Sequence, residues 1–391
     1  MDQFTSTPIV PTPAQPVLPI AVPPPLPAKL DFTGNRNGFL HLVTRGAGLE
    51  LVTLGFYRFW LLTDIRRHLW SNTVIDGDAA EYTGRPRELL IGFLIALAIL
   101  VPIYLAYFLI SVEAEHLQSL ASIPLIAAFY VFGQFAIYRA RRYRLTRTVW
   151  RGVRFWMDGS GWAYALRASL WALLAIVTLG IALPWRTAAL ERYKLEHSWY
   201  GELQGRFEGR GWDFFKRVWW LWLVSPLAVL IFPIPFLFAY YRAVEWQWWL
   251  SGIRFGAVTV HSRLKPNALQ EFYWKVIGWS FVLSVGTGIV VGGLGAAVFG
   301  ISKALTEAAD AESLATSIPV VIIIVTGIGY LVFALGLNVV IRLYLSRDLW
   351  ARVLSTTVVT HLAAAANVAA KGELATATGE GIADGLDVAG F

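Results

Sequence analysis

Six long apolar runs set the hydrophobic pattern of the chain, at residues 89–110, 120–138, 168–185, 218–241, 276–302 and 318–341. Each holds roughly the ~20 residues that a helix needs to cross a hydrocarbon core of about 30 Å, so each predicts a transmembrane helix. A seventh segment, 39–60, has the same character but is interrupted by His41, Arg45 and Glu50. Between the runs the period changes. Residues 72–84 (NTVIDGDAAEYTG) alternate around Asp76-Gly77, a dipeptide that favours a tight hairpin turn, and 254–264 (RFGAVTVHSRL) alternate around a glycine. These stretches predict small amphipathic hairpins at the membrane surface. The expected fold class is an all-α polytopic membrane protein, with about six to seven transmembrane helices in diverged internal repeats.

The repeats are written in the sequence itself. LVTLGFYRFW at 51–60 and IVTLGIALPW at 176–185 are one phrase offset by 125 residues, and the agreement continues past it. Trp60 meets Trp185, Arg67 meets Arg192, Tyr82 meets Phe207, Gly84 meets Gly209 and Arg85 meets Arg210. A second echo links FAIYRA at 135–140 with FAYYRA at 238–243. The expected organisation is a disordered proline-rich tail (1–30), a first membrane repeat unit (31–161), a second (162–275), a helical hairpin (276–345) and a cytoplasmic C-terminal segment (346–391). A pseudo-symmetric, transporter-like bundle is the nearest physical analogy.

Composition sharpens the membrane reading. The 391 residues are 56% hydrophobic and 15% charged, with a mean hydropathy of +0.55, more apolar surface than a soluble domain of this length hides. Many of the aromatic residues stand at the ends of the runs, where amphipathic rings lie at headgroup level. The net charge of +7 gathers beside the apolar runs, so the expected partner is anionic phospholipid at the cytoplasmic face rather than nucleic acid. With no cysteine, disulfides and thiolate metal sites are excluded. The first thirty residues lack the basic start and continuous apolar core of a signal peptide and read as an extended tail or linker.

Residues 139–154 carry seven arginines and no acid, whereas 112–116 and 303–313 are acidic. By the positive-inside bias the arginine stretch and the C-terminus are cytoplasmic. The basic connection 186–217 is outside if 162–185 and 218–241 span the bilayer, and inside if they dip and return. Both are long enough to span, and spanning, which gives the repeat opposite orientations in its two copies, is the expectation. Gly180, Pro184, Pro226, Pro233 and Pro235 keep re-entry open.

The stretch TLGFYRFWLLTDIRRHLWSNTVIDGDAAEYTGRPRELLIGFL at 53–94 resembles the YjgN-type bacterial inner-membrane proteins, a domain of unknown function numbered 898. The ending GEGIADGLDVAGF at 379–391 and TLGIALPW at 178–185 fit the same pattern, so the likeness runs from about residue 31 to 391. It implies a multi-pass protein of the bacterial inner membrane with no established activity, and it offers no catalytic or binding residues to carry over. The proline-rich extension is a departure from it.

No catalytic constellation appears. A Walker lysine loop, His-Glu-x-x-His, Gly-x-Ser-x-Gly and a dinucleotide glycine fingerprint are all absent, so neither an enzyme nor a cofactor is expected. The informative residues are polar groups in apolar surroundings: His41, Arg45, Glu50, Arg167 and Asn338. A charge at the bilayer centre costs about 2.5–3.5 kcal/mol on insertion scales, and is normally paired or faces a wet cavity. Arg45 and Glu50 lie about 140° apart on a straight helix, so each needs a partner elsewhere or a break at Gly46 or Gly48. Snorkelling to headgroups is the plainer reading of Arg45 and Arg167. Arg139, Arg142 and Arg147 are candidate contacts for anionic lipid or phosphate, with positive-inside anchoring as the plainer reading. Gly288, Gly292, Ala296 and Gly300 place small residues on one helix face, suited to internal helix packing, with a homo-oligomer seam or a substrate-lining face as the alternatives. The expected function is passage of a small solute or lipid-related substrate. The alternative is a non-catalytic scaffold or envelope-interaction protein that works through its basic cytoplasmic face and proline tail.

Overall fold

The computed structural model describes residues 27–113, 118–226, 234–308 and 312–372; the proline-rich tail up to residue 26 and the ending at 379–391 lie outside them. The chain runs β1 (Ala28–Phe32), α1 (Arg36–Val52), α2 (Arg58–Ser71), β2 (Thr73–Ile75), β3 (Asp78–Tyr82), α3 (Pro86–Glu113), α4 (Gln118–Thr146), β4 (Thr148–Trp150) and β5 (Val153–Met157). It continues with α5 (Gly161–Val177), α6 (Leu183–Glu196), β6 (Ser198–Tyr200), β7 (Leu203–Phe207), α7 (Gly211–Val224), α8 (Ile234–Gly252), β8 (Ile253–Phe255) and β9 (Val258–Ser262). Last come α9 (Gln270–Ala308), α10 (Glu312–Ile341), a π-helical stretch (Arg342–Asp348), α11 (Leu349–Ser355) and β10 (Thr357–Thr360).

The ten strands among the described residues pair antiparallel into a closed barrel, in the order β1-β10-β9-β8-β7-β6-β5-β4-β3-β2. The molecule is therefore not the all-α bundle that the apolar runs predict. The strands are three to five residues long, too short to carry a period-2 signal beside twenty-residue apolar runs. Closure also joins distant residues, Ala28 pairing with Val359. The alternating stretch 72–84 does form a hairpin at Asp76-Gly77, but as two staves of the barrel rather than as a separate surface cover.

Successive strands are joined alternately by a two-residue turn and by a pair of helices. Asp76-Gly77, Arg151-Gly152, Gly201-Glu202 and Gly256-Ala257 make the turns. Asp76 and Gly77 have φ of 53° and 86°, the left-handed pair that a type I′ turn requires to match the strand twist. Arg151 holds this turn from the next hairpin, donating to Asp76 Oδ2 at 3.1 Å and to Asp78 Oδ2. Because neighbouring strands run in opposite directions, all these turns gather at one rim and every helical pair leaves from, and returns to, the other.

That topology corrects the expected membrane path. Run 168–185 is not one span: α5 ends and the chain reverses at Leu179-Gly180, with φ of 50° and 88°. Segment 39–60 reverses likewise at Leu54-Gly55, with φ of 51° and 89°. In both turns a threonine fixes the reversal. Thr53 Oγ1 donates to Leu49 O and accepts from Tyr57 N at 2.9 Å; Thr178 Oγ1 donates to Leu174 O and accepts from Ala182 N at 3.2 Å. Run 218–241 is divided between α7 and α8, whose far ends are the neighbouring strands β7 and β8. Residues 186–217 contain β6 and β7 and so lie at the barrel with everything else, which removes the inverted orientation. Among the described residues, four helices are long and apolar enough to cross a membrane: Pro86–Leu109, Ser122–Thr146, Gln270–Ile301 and Val320–Ser355.

The barrel interior is a packed core. Ala80, Trp150, Tyr200, Val258 and Val359 are buried there with Phe155 and Phe255 against them. Phe155 meets Tyr200 at 4.8 Å between ring centroids, and Tyr200 donates from its hydroxyl to Trp150 O at 3.1 Å. After β10 the chain turns at His361 into a short 3-10 segment, Leu362–Ala365, and Ala365 joins the same core. Aromatic side chains thus fill the axis of a barrel of short strands, where a wider barrel would hold water.

Candidate functional site

The helical pairs end in apolar tips. Val52 is 79% and Leu54 88% exposed at the α1–α2 turn, and Val177 is 80% and Leu179 78% exposed at the α5–α6 turn. Exposed apolar residues concentrated at helix tips mark a surface that meets a membrane or another protein. Beside the first of these tips lies a cleft of about 620 Å³, within the size range of small-molecule sites. Glu50, Leu51, Leu54 and Gly55 contribute from the end of α1 and its turn, Arg58 from the start of α2, Leu331, Leu335 and Asn338 from α10, and Arg342 from the π-helical stretch. The lining thus combines a carboxylate, two guanidinium groups and an amide with four leucines.

Glu50 is 8% exposed although it stands near the tip of its helix. Its Oε1 lies 3.5 Å from Arg342 Nη2 and accepts no hydrogen bond among the described residues. Arg58 packs its guanidinium over the rings of Phe59 and Phe93, at 5.1 and 5.2 Å from their centroids. Arg342 opens the seven-residue π-helical stretch, whose wider turns recur at functional sites. At the far end of that stretch, Arg347 donates to Gly34 O and pairs with Asp348, which also takes Arg36 at 3.2 Å. One short element therefore ties the cleft to the junction of β1 and α1.

Two of the polar positions singled out in the sequence, Glu50 and Asn338, line this one cleft. The others do not. His41 and Arg45 are exposed on α1, which runs unbroken through Gly46 and Gly48, and Glu50 finds its cation on α10's extension instead. Arg167 is exposed on α5 with its guanidinium 4.2 Å from the Tyr193 ring centroid. Arg58 and Arg342 were missed, because an arginine at the end of an apolar run reads as a headgroup anchor.

The arginine cluster of α4 is divided by the fold. Arg147 is buried and pairs with Glu88 of α3, Nη2 to Oε2 at 2.9 Å, while the Tyr143 hydroxyl donates to the same oxygen at 2.7 Å. It is an internal ion-pair residue. Arg139 lies over the Phe135 ring at 5.6 Å, and Arg142 is half-buried near Tyr138. On α9, a Cβ at Gly288, Gly292 or Gly300 would meet nothing within 4 Å, and Ala296 is exposed. That face packs against none of the described residues. The α9–α10 contact includes Val291 and Thr287 against Gly329 and Leu283 against Gly336.

A second polar cluster, unremarked in the sequence, lies where α4, α6 and α8 meet the barrel. Glu191 pairs with Lys194, accepts from Trp249 Nε1 at 2.9 Å and lies 3.8 Å from Arg141. Burial works to raise the Glu191 pKa, but Lys194 and Arg141 outweigh it and hold the carboxyl below its ordinary value. Burial first, and then the Arg141 charge, hold the Lys194 pKa below its ordinary value despite the opposing pull of Glu191. Among the described residues no group of three or more histidines, aspartates and glutamates is placed to hold a metal ion.

The family model described as "Bacterial protein of unknown function (DUF898)" matches residues 27–245, more than half of the chain. The chain belongs to the DUF898 family. No curated protein and no solved structure matches it. The DUF898 match takes in β1 to β7 and the Glu50–Arg58 side of the cleft; Asn338 and Arg342, on the other side, lie beyond it.

Proposed function

We propose that the protein is a non-catalytic membrane protein that binds a small amphipathic, lipid-related molecule entering sideways from the bilayer. The observation that carries this is the cleft itself: a buried carboxylate and two arginines share its lining with four leucines, beside an exposed apolar tip. Water-soluble solutes have no use for the leucine lining, and an acyl chain has every use for it. The packed barrel supports lateral access, since its axis is filled by Trp150, Phe155 and Tyr200.

In this reading the protein sits in the bacterial inner membrane with α3–α4 and α9–α10 crossing it, while the shorter pairs dip in and return. The barrel and the C-terminus are on the cytoplasmic side, where the positive-inside bias places the arginines of 139–154. The 125-residue offset maps β1–β3 and α1–α2 onto β5–β7 and α5–α6, and the echo of FAIYRA in FAYYRA, at a shorter offset, continues the match from α4 and β4 to α8 and β8. It supports duplication of a two-pair segment with one orientation in both copies.

The test is native mass spectrometry of the full chain gently extracted in detergent. A bound amphiphile is expected on the wild type and not on Arg342→Gln. Occupancy equal in the two proteins, or none in either, refutes the reading.

A further inference from the structure

The cleft places a carboxylate and a guanidinium side by side, and that pairing specifies a head group more closely than the word lipid does. Glu50 and Arg342 are 3.5 Å apart and line a cavity whose apolar lining is Leu51, Leu54, Leu331 and Leu335. The Glu50 Oε1 atom is buried and accepts no hydrogen bond among the described residues. A buried carboxylate oxygen in that state is costly, and a ligand donor that meets it gains correspondingly. Asn338, exposed on α10 at the cleft wall, adds a neutral amide that both donates and accepts.

We propose that this cleft selects a phospholipid whose head carries a phosphodiester and a primary ammonium group separated by two carbons, the phosphoethanolamine type. The proposal rests on the lipid-binding reading above and deepens it. The phosphodiester meets Arg342, and Arg58, which lines the same cleft, adds positive potential. The ammonium group meets Glu50, supplying N–H donors and opposite charge together. Asn338 is placed for the ester oxygens. The acyl chains follow the leucines and pass onto the outer face of α10, where Ile328 is 58% and Val332 52% exposed.

The alternatives fail on chemistry. A phosphocholine head keeps the phosphate and the positive charge but has no N–H, so Glu50 Oε1 stays unmet. A phosphoglycerol head offers hydroxyl donors but no cation, and sets its net negative charge close to a buried carboxylate. The size of the difference follows from the N–H···O bond that choline cannot make: a hydrogen bond to a charged group corresponds to a preference of about tenfold or more.

The full chain, purified in detergent and stripped of lipid, is titrated with short-chain phosphatidylethanolamine, phosphatidylglycerol and phosphatidylcholine of identical acyl composition, with tryptophan fluorescence as the readout. The wild type is expected to bind the ethanolamine lipid about tenfold more tightly than the choline lipid. Glu50→Gln is isosteric and is expected to remove most of that preference while still binding all three. Arg342→Gln is expected to weaken all three together. Equal affinities in the wild type, tighter binding of the glycerol lipid, or a preference unchanged in Glu50→Gln each overturn the head-group assignment and leave the cleft as a lipid site. Failure of all three lipids to bind, with the circular dichroism spectrum intact, overturns the lipid-binding reading itself.

Discussion

Replacing Glu88 by glutamine separates two views of Arg147, as a lipid contact and as a member of an internal ion pair. The structure favours the pair: the two side chains are 9% and 18% exposed, with nitrogen and oxygen 2.9 Å apart. The Tyr143 hydroxyl shares the same carboxylate oxygen at 2.7 Å, and the Arg147 carbonyl accepts from Thr83 N at 2.8 Å. Breaking a fully buried pair by removing one partner costs about 3–5 kcal/mol. Glutamine still accepts from Tyr143 and the pair is not wholly dry, so about 2–3 kcal/mol is expected for Glu88→Gln. Arg147→Met should cost a similar amount, and the double variant clearly less than the sum, because neither charge is then left alone. Denaturant titration of the detergent-solubilised protein, followed by tryptophan fluorescence, measures all three. Additive losses, or a stability-neutral Arg147→Met that instead loses affinity for anionic vesicles, would refute the internal-pair reasoning.

Two further outcomes are expected. In this cysteine-free chain, single cysteines at Glu202 and Ala257 should both react with an impermeant thiol reagent from the cytoplasmic side, whereas cysteines at Leu54 and Leu179 should resist it from either side; labelling of Glu202 and Ala257 from opposite sides is incompatible with a single barrel. The His68 imidazole is held below its ordinary value near 6.5, first by burial and then by the Arg347 charge, and its Nε2 has no hydrogen-bond partner among the described residues while its ring packs on Phe39 at 5.3 Å. The unfolded chain therefore takes up this proton before the folded one, so the contribution is complete above about pH 6.5 and is lost as the pH falls through the lowered folded value. His68→Gln should flatten the thermal stability profile between about pH 7 and pH 5 relative to the wild type; identical slopes would remove His68 from the explanation.

Local chemistry decided what could be read locally. Uninterrupted apolar length announced α3, α4, α9 and α10, and Asp76-Gly77 announced its turn, because both signals lie within one stretch of chain. The same length rule misread 168–185, where nothing in hydrophobicity distinguishes a span from two half-length helices. The reversal depends on Leu179 and Gly180 taking positive φ with Thr178 capping them, a backbone decision made within four residues. Glu50 and Asn338 each stood out as polar groups in apolar runs. That they share one cleft, and that Arg342 answers Glu50, could not be read, because the carboxylate and its cation are nearly three hundred positions apart. The barrel was hidden for the same reason. Strands of three to five residues carry little pattern alone and gain stability only from pairing, and Ala28 and Lys29 are strand residues because Val359 and Val358 complete the ring. The sequence by itself therefore determined which segments prefer lipid and where the chain can turn. Tertiary structure decided which turns close a barrel, which apolar runs reverse half-way and which charges meet, since each is a contact whose free energy exists only once remote residues have been brought together.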